Sequence, residues 1–183
     1  MTKQEFINTI FPYINLIWKI KGFKLPFKSI AVAQAALESG WGSSELASKY
    51  NNYFGIVADS SWKGKTIKFN SNGLTYRSYD SIYDSIYDYV RFLNQNTRYK
   101  NNGVFDAKSY KEQAKALQNA GYAGKNATKY ADTLISIIES NNLYKFDNLQ
   151  QPVETNDKNA GKTIILFAGI SIFLIGMFIL IEN

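Results

Sequence analysis

Glu38 is the residue best placed to do acid chemistry. It follows the run Ser29–Leu37 (SIAVAQAAL), the most apolar helical pattern of the N-terminal region, and precedes Ser39-Gly40-Trp41-Gly42. A carboxyl set among apolar and aromatic neighbours loses the hydration of its charged form, so its pKa should rise. A group held protonated near neutral pH is what general acid catalysis needs. The competing structural role is a helix-end Glu bonded to nearby backbone amides. Absences narrow the chemistry further. The chain contains no Cys and no His, which excludes disulfides, zinc fingers, Cys or His nucleophiles and a His base. Catalysis must then use carboxylates, Tyr, Lys, Ser/Thr or backbone groups, and neither a cofactor nor a metal is expected.

The elements that would position Glu38 can be read along the chain. Thr2-x-x-Glu5 is a capping box opening a short first helix, and Pro12 suits the first turn of a second. Ser29–Leu37 reads as a centrally buried helix punctuated by Gly40 and Gly42, followed by a short helical turn from Ser44 to Lys49. Lys65–Phe69 and Leu74–Tyr79 alternate in polarity and flank Asn70-Ser71-Asn72-Gly73, a β-hairpin pattern. Ser81–Leu93 returns to helical spacing, with Asp80 as its expected N-cap. Ser109-x-x-Glu112 opens a helix that Gly121 closes, and Thr128–Ser140 forms the last amphipathic helix. The fold class is therefore mainly α (α+β): a helical body with one hairpin inserted.

Several of these segments resemble, in order, the motifs of glycoside hydrolase family 73, the bacterial endo-β-N-acetylglucosaminidases. Gln34-Ala35-Ala36-Leu37-Glu38-Ser39-Gly40-Trp41-Gly42 carries the hallmark, and Asn52-Tyr53-Phe54-Gly55-Ile56 resembles its Asn-Leu-Phe-Gly-Ile. Trp62-Lys63-Gly64-Lys65-Thr66 leads into the hairpin. Tyr76-Arg77-Ser78-Tyr79-Asp80-Ser81 resembles Phe-Arg-x-Tyr-x-Ser, and Leu117–Ala123 resembles Leu-x-x-Ala-Gly-Tyr-Ala. The resemblance implies a lysozyme-like domain over residues 1–147, with a glycan groove between a helical lobe and a small β-lobe. It implies Glu38 as general acid and Tyr122 near the cleaved bond. Trp41, Tyr53, Phe54, Trp62 and Tyr76 are the implied substrate contacts, although core packing suits Phe54 and Trp41 as well.

One departure stands out. Family members often carry a second Glu in the β-lobe, yet Lys63–Arg77 (KGKTIKFNSNGLTYR) holds neither Asp nor Glu. Asp59 is the leading substitute, then Asp80. A third route needs no second carboxylate, because the 2-acetamido group of N-acetylglucosamine can act as internal nucleophile. Rival functions are a muramidase or lytic transglycosylase on the same polymer, and a non-catalytic glycan-binding module.

Charge and hydropathy complete the expectation. Residues 1–148 hold nineteen Lys/Arg against twelve Asp/Glu, which suits an anionic partner such as a cell-wall polymer. The basic residues are scattered and show no P-loop or recognition-helix pattern, so nucleic acid is not an expected partner. Residues 148–162 form a polar linker. Residues 163–181 (TIILFAGISIFLIGMFILI) are uncharged, and at ~1.5 Å per residue they match the hydrocarbon thickness of a bilayer. A C-terminal transmembrane helix partnering a lipid bilayer is expected, single-pass, in a bacterial envelope or a phage virion membrane. Lys3, Lys19 and Lys21 make the N-terminal region a poor secretory signal, so the topology of such an anchor is an open question.

Overall fold

In the computed structural model the chain is described over residues 1–69, 73–124 and 126–148. The expected linker beyond Asn148 and the expected membrane helix at 163–181 lie outside the described residues. No helix among the described residues is long and apolar enough to cross a membrane.

Helix α1 spans Lys3–Ile17 and starts at the expected capping box, in which Thr2 and Glu5 bond each other's backbone amides. It differs from expectation by running straight through Pro12 instead of breaking into two helices. The ring removes a hydrogen bond to the Asn8 carbonyl, but Pro12 and Asn8 both face solvent, where water can replace that bond. Meanwhile Phe6, Ile10, Ile14 and Ile17 keep an unbroken apolar stripe in the core, so burial outweighs the local defect.

Helix α2 (Lys28–Glu38) is buried at every position from Lys28 to Ala36. Its alanines let neighbours approach closely, and α1, α6 (Tyr110–Asn119), α7 (Tyr130–Ser140) and a 3-10 turn at Leu143–Phe146 all pack on it. Phe27 at its N-cap supplies no side-chain acceptor. Asp147 does so from the far end of the domain, accepting from the Ser29 amide at 2.8 Å and its hydroxyl at 2.6 Å. That carboxylate meets the positive end of the helix.

Helix α3 (Glu45–Tyr50) is capped by Ser44. Strands β1 (Thr66–Lys68) and β2 (Thr75–Arg77) pair antiparallel as expected, with Thr66 opposite Arg77 and Lys68 opposite Thr75. A bridge from Val57 to Tyr76 adds a third edge to this small sheet. Helix α4 (Ile82–Gln95) is capped by Ser81, which accepts from the Asp84 amide. Asp80, the expected cap, is instead exposed and paired with Lys65. Two elements escape the sequence reading: the five-residue α5 (Thr97–Asn101) and the 3-10 turn, both too short to show a period.

Candidate active site

Glu38 is the last residue of α2 and only partly buried, at the point where the helix leaves the core. The chain then turns sharply. Gly40, Trp41 and Gly42 all take positive φ, and the Trp41 amide returns to the Ala36 carbonyl at 2.8 Å. Positive φ in a tryptophan is unfavourable. Its ring packs edge-on against Phe6 at 5.6 Å, with Lys3 Nζ 5.1 Å from the ring centre.

Burial pushes the Glu38 carboxyl above its ordinary value of 4.5, opposed in part by one hydrogen bond from Tyr130. That donor belongs to a chain of three buried polar side chains. Tyr89 Oη donates to Gln34 Oε1 at 2.6 Å, and Gln34 Nε2 donates to Tyr130 Oη at 2.9 Å. Tyr130 Oη then donates to Glu38 Oε1 at 3.0 Å. Each hydroxyl has one proton to give, so the amide orientation sets the direction of the whole chain. Burial holds both phenols well above their ordinary range, so neither ionises.

Glu38 Oε1 is thereby occupied as an acceptor, which leaves Oε2 as the oxygen outside that bond. That oxygen faces Gly55, where a methyl group in place of hydrogen would sit 3.6 Å away. Gly55 also has a φ of 63°, which a side chain would resist. That backbone conformation, not lack of space, is what favours glycine beside the acid.

Tyr122 joins the same cluster. It stacks on Tyr130 at 5.8 Å between ring centres, and its hydroxyl donates to the Phe54 carbonyl at 3.2 Å. Phe54 itself is only 2% exposed and stacks on Tyr89 at 4.0 Å, while Tyr53 is 7% exposed. The expectation that these two rings stack on sugars is therefore corrected. They are core residues whose backbone, not whose faces, borders the site.

The other candidates lie elsewhere around the β-lobe. Asp59 is exposed and ordered by its own loop, accepting from the Ser61 amide at 2.9 Å and from Arg77 Nη2 at 3.3 Å. The Ser61 contacts, more than Arg77, hold its carboxyl below the ordinary value of 3.8. Trp62 stands over the Arg77 guanidinium at 4.6 Å and bonds the Lys65 carbonyl through Nε1. It crosses Gly64 so closely that an added methyl would fall 2.3 Å from its ring. Tyr76 is partly buried on β2, its ring edge-on to Phe69. Beneath them Asp88 is buried, accepting from Arg77 at 2.8 Å, Tyr79 at 2.8 Å and Arg91 at 3.0 Å.

The structure thus gathers Glu38 and Tyr122, and adds Gln34, Tyr130 and Tyr89, which the sequence reading does not assign to the site. Gln34 had a detectable signal, since it lies one turn before Glu38 and shares its helix face. Tyr130 and Tyr89 had none, because only tertiary packing brings α7 and α4 against α2. No group of three or more acidic residues that could hold a metal occurs among the described residues.

Known proteins resemble this chain in sequence and fold. Residues 21–143 match the protein family described as mannosyl-glycoprotein endo-beta-N-acetylglucosaminidase. The chain is 32% identical over 171 residues to the exo-glucosaminidase LytG of Bacillus subtilis, covering 86% of this chain and 58% of that protein. It is 35% identical over 149 residues to the peptidoglycan hydrolase FlgJ of Vibrio parahaemolyticus, covering 73% and 46% respectively. The crystal structure of a peptidoglycan hydrolase from Sphingomonas sp. A1 matches at a TM-score of 0.65 and 31% identity, covering 78% of this chain and 92% of that one. The chain spans about half the length of the curated relatives it matches. Since the family match takes in most of the helical body, both strands and every residue around Glu38, the chain belongs to the glucosaminidase family of glycoside hydrolases.

Proposed function

We propose that the protein hydrolyses the glycan strand of peptidoglycan at the N-acetylglucosaminyl-β-1,4-N-acetylmuramic acid bond, with Glu38 as general acid. The observation that carries this reading is the setting of Glu38: a carboxyl whose pKa burial raises, with Oε1 held by Tyr130 and Oε2 beside Gly55. A proton on Oε2 is the one available to a glycosidic oxygen, and its transfer accompanies cleavage of the bond to C1.

The second role goes to the substrate. Asp59 is bound by Ser61 and Arg77 and is weakly basic in that setting. The 2-acetamido oxygen of the N-acetylglucosamine unit closes on C1 as the leaving group departs. Water then opens the resulting ring, giving its proton to the Glu38 carboxylate and restoring the acid. Tyr122 holds the Phe54–Gly55 backbone in place beside this oxygen, and Trp62, Trp41 and Tyr76 supply the partly exposed aromatic surface of the groove.

Residues 163–181 support a further part of this reading, a single membrane anchor tethering the domain to a bacterial envelope or a virion membrane. Protease protection of the full chain in intact membranes tests that part. For the reaction, digestion of purified walls followed by mass spectrometry of the products is decisive. Reducing-end N-acetylglucosamine is expected from the unaltered protein and none from Glu38→Gln. Reducing-end N-acetylmuramic acid or 1,6-anhydro products contradict the assigned bond. Equal digestion by the two proteins contradicts the acid, and no digestion by either leaves a binding module.

A further inference from the structure

A cavity of about 640 Å³ lies beside the Tyr122 cluster, lined by Arg98, Gln118, Asn119, Gly121, Gly124 and Thr128 among others. Its size suits a sugar-sized ligand. Its lining residues include Arg98, the amides Gln118 and Asn119 and the hydroxyl residue Thr128, and none of its described lining residues is a carboxylate. It adjoins the site through the chain itself: Gly121 precedes Tyr122, and Thr128 lies two residues before Tyr130.

Arg98 is unlike the other arginines. Arg77 and Arg91 both pair with Asp88, whereas Arg98 makes no ion pair among the described residues. It is held instead by aromatic groups. Its Nη2 donates to Tyr99 Oη at 2.7 Å, and its guanidinium lies 4.8 Å from the Tyr99 ring centre and 6.0 Å from that of Phe92. Tyr99 in turn packs against Tyr122 at 6.1 Å. Burial pushes the Tyr99 phenol up to about 12, so it stays neutral and leaves the arginine charge uncompensated. The result is an oriented guanidinium fork, without an ion pair among the described residues and with spare donors, on a residue that lines the cavity, and such a fork matches carboxylate.

We propose that this cavity is a subsite for the anionic substituent of a muramoyl residue, with Arg98 binding its carboxylate. The proposal deepens the glycan-cleaving reading and rests on it. In a strand of that polymer the N-acetylglucosamine units are neutral. Negative charge enters through the muramoyl lactyl group or the peptide attached to it. Arg98 would therefore distinguish wall glycan from neutral chito-oligosaccharides.

Binding measured without turnover separates this proposal from the reaction. In a Glu38→Gln background, calorimetry with three soluble tetrasaccharides gives the dissociation constants: peptide-bearing wall glycan, glycan stripped to its lactyl carboxylate, and neutral chitotetraose. A charge-assisted hydrogen bond predicts roughly tenfold tighter binding of an anionic ligand. That preference should fall by about the same factor in Arg98→Gln and return in part in Arg98→Lys. The anionic ligand that shows the larger drop identifies which carboxylate is bound. Equal weakening of all three ligands by Arg98→Gln overturns the proposal, as does unchanged preference. Wall digestion by the Glu38 protein is scored separately: a charge preference without digestion supports the subsite and defeats the hydrolase reading, and digestion without a preference does the reverse.

Discussion

Asp88 is a buried carboxyl and Glu38 a partly buried one, and the two are treated in opposite ways. Asp88 receives hydrogen bonds from Arg77, Arg91 and Tyr79, so its charge is compensated on all sides. Glu38 receives one hydrogen bond from a neutral phenol, and burial raises its pKa. Asp59, on the exposed loop, is a third case, held ionised by Ser61 and Arg77. The contrast separates carboxyls that hold the fold together from the one proposed to give a proton. Two cations pair with Asp88, whereas Glu38 makes no ion pair among the described residues, the setting that the proposed general acid requires.

Breaking the Asp88 side should have the largest effect. Asp88→Leu leaves the Arg77 guanidinium 4% exposed without its buried partner, and removal of one member of such a pair costs about 3 to 5 kcal/mol. Urea unfolding monitored by circular dichroism checks this, and a midpoint within error of the unaltered protein would defeat it. On the Glu38 side, Tyr130→Phe removes the donor while keeping the ring. Because that hydrogen bond favours the charged form, its loss raises the Glu38 pKa further. The alkaline limb of the kcat/KM profile should move to higher pH. The peak should fall roughly tenfold, as for a lost hydrogen bond to an ionisable group. A limb that moves to lower pH would reverse the assigned role.

Glu38→Gln sharpens the comparison through stability. A carboxyl whose folded pKa lies above its unfolded value binds more protons when native. The unaltered protein therefore loses stability as pH rises from 4.5 through the folded pKa. The amide has no such dependence. At pH 7 the variant should unfold at a higher urea concentration than the unaltered protein, and the difference should shrink below pH 4.5. A variant less stable at pH 7 than the unaltered protein would contradict burial as the source of the shift. Asp59→Asn should have the smallest effect, because the loop acid is exposed and assigned no proton transfer. Activity on walls is expected to fall less than about threefold, within the small range usual for surface substitutions. Complete loss would return Asp59 to the catalytic pair.

The hydrophobic and capping patterns made much of the fold legible. The capping box at Thr2, the alanine-rich helix before Glu38 and the alternating hairpin all lie where local chemistry places them. Local rules failed at Pro12, where a buried stripe of isoleucines outweighs one lost hydrogen bond, and at Asp80, where Ser81 takes the cap. Of the cluster around Glu38, the sequence reading names only the carboxyl itself and Tyr122. Phe54 and Tyr53 resembled sugar platforms in sequence, because an aromatic ring in a loop has no local sign of burial. Gln34, Tyr89 and Tyr130 come together through contacts 55 to 96 residues apart. No spacing rule reaches that far.

The most direct measurement is the titration of the side-chain carboxyl carbons by carbon-13 NMR, with Glu38 assigned by its absence in Glu38→Gln. Glu38 is expected to titrate above 4.5 and Asp59 below 3.8 in the same sample. A Glu38 resonance titrating at or below 4.5 would mean that the group is an ordinary ionised carboxylate at working pH, and the assignment of the acid would be wrong.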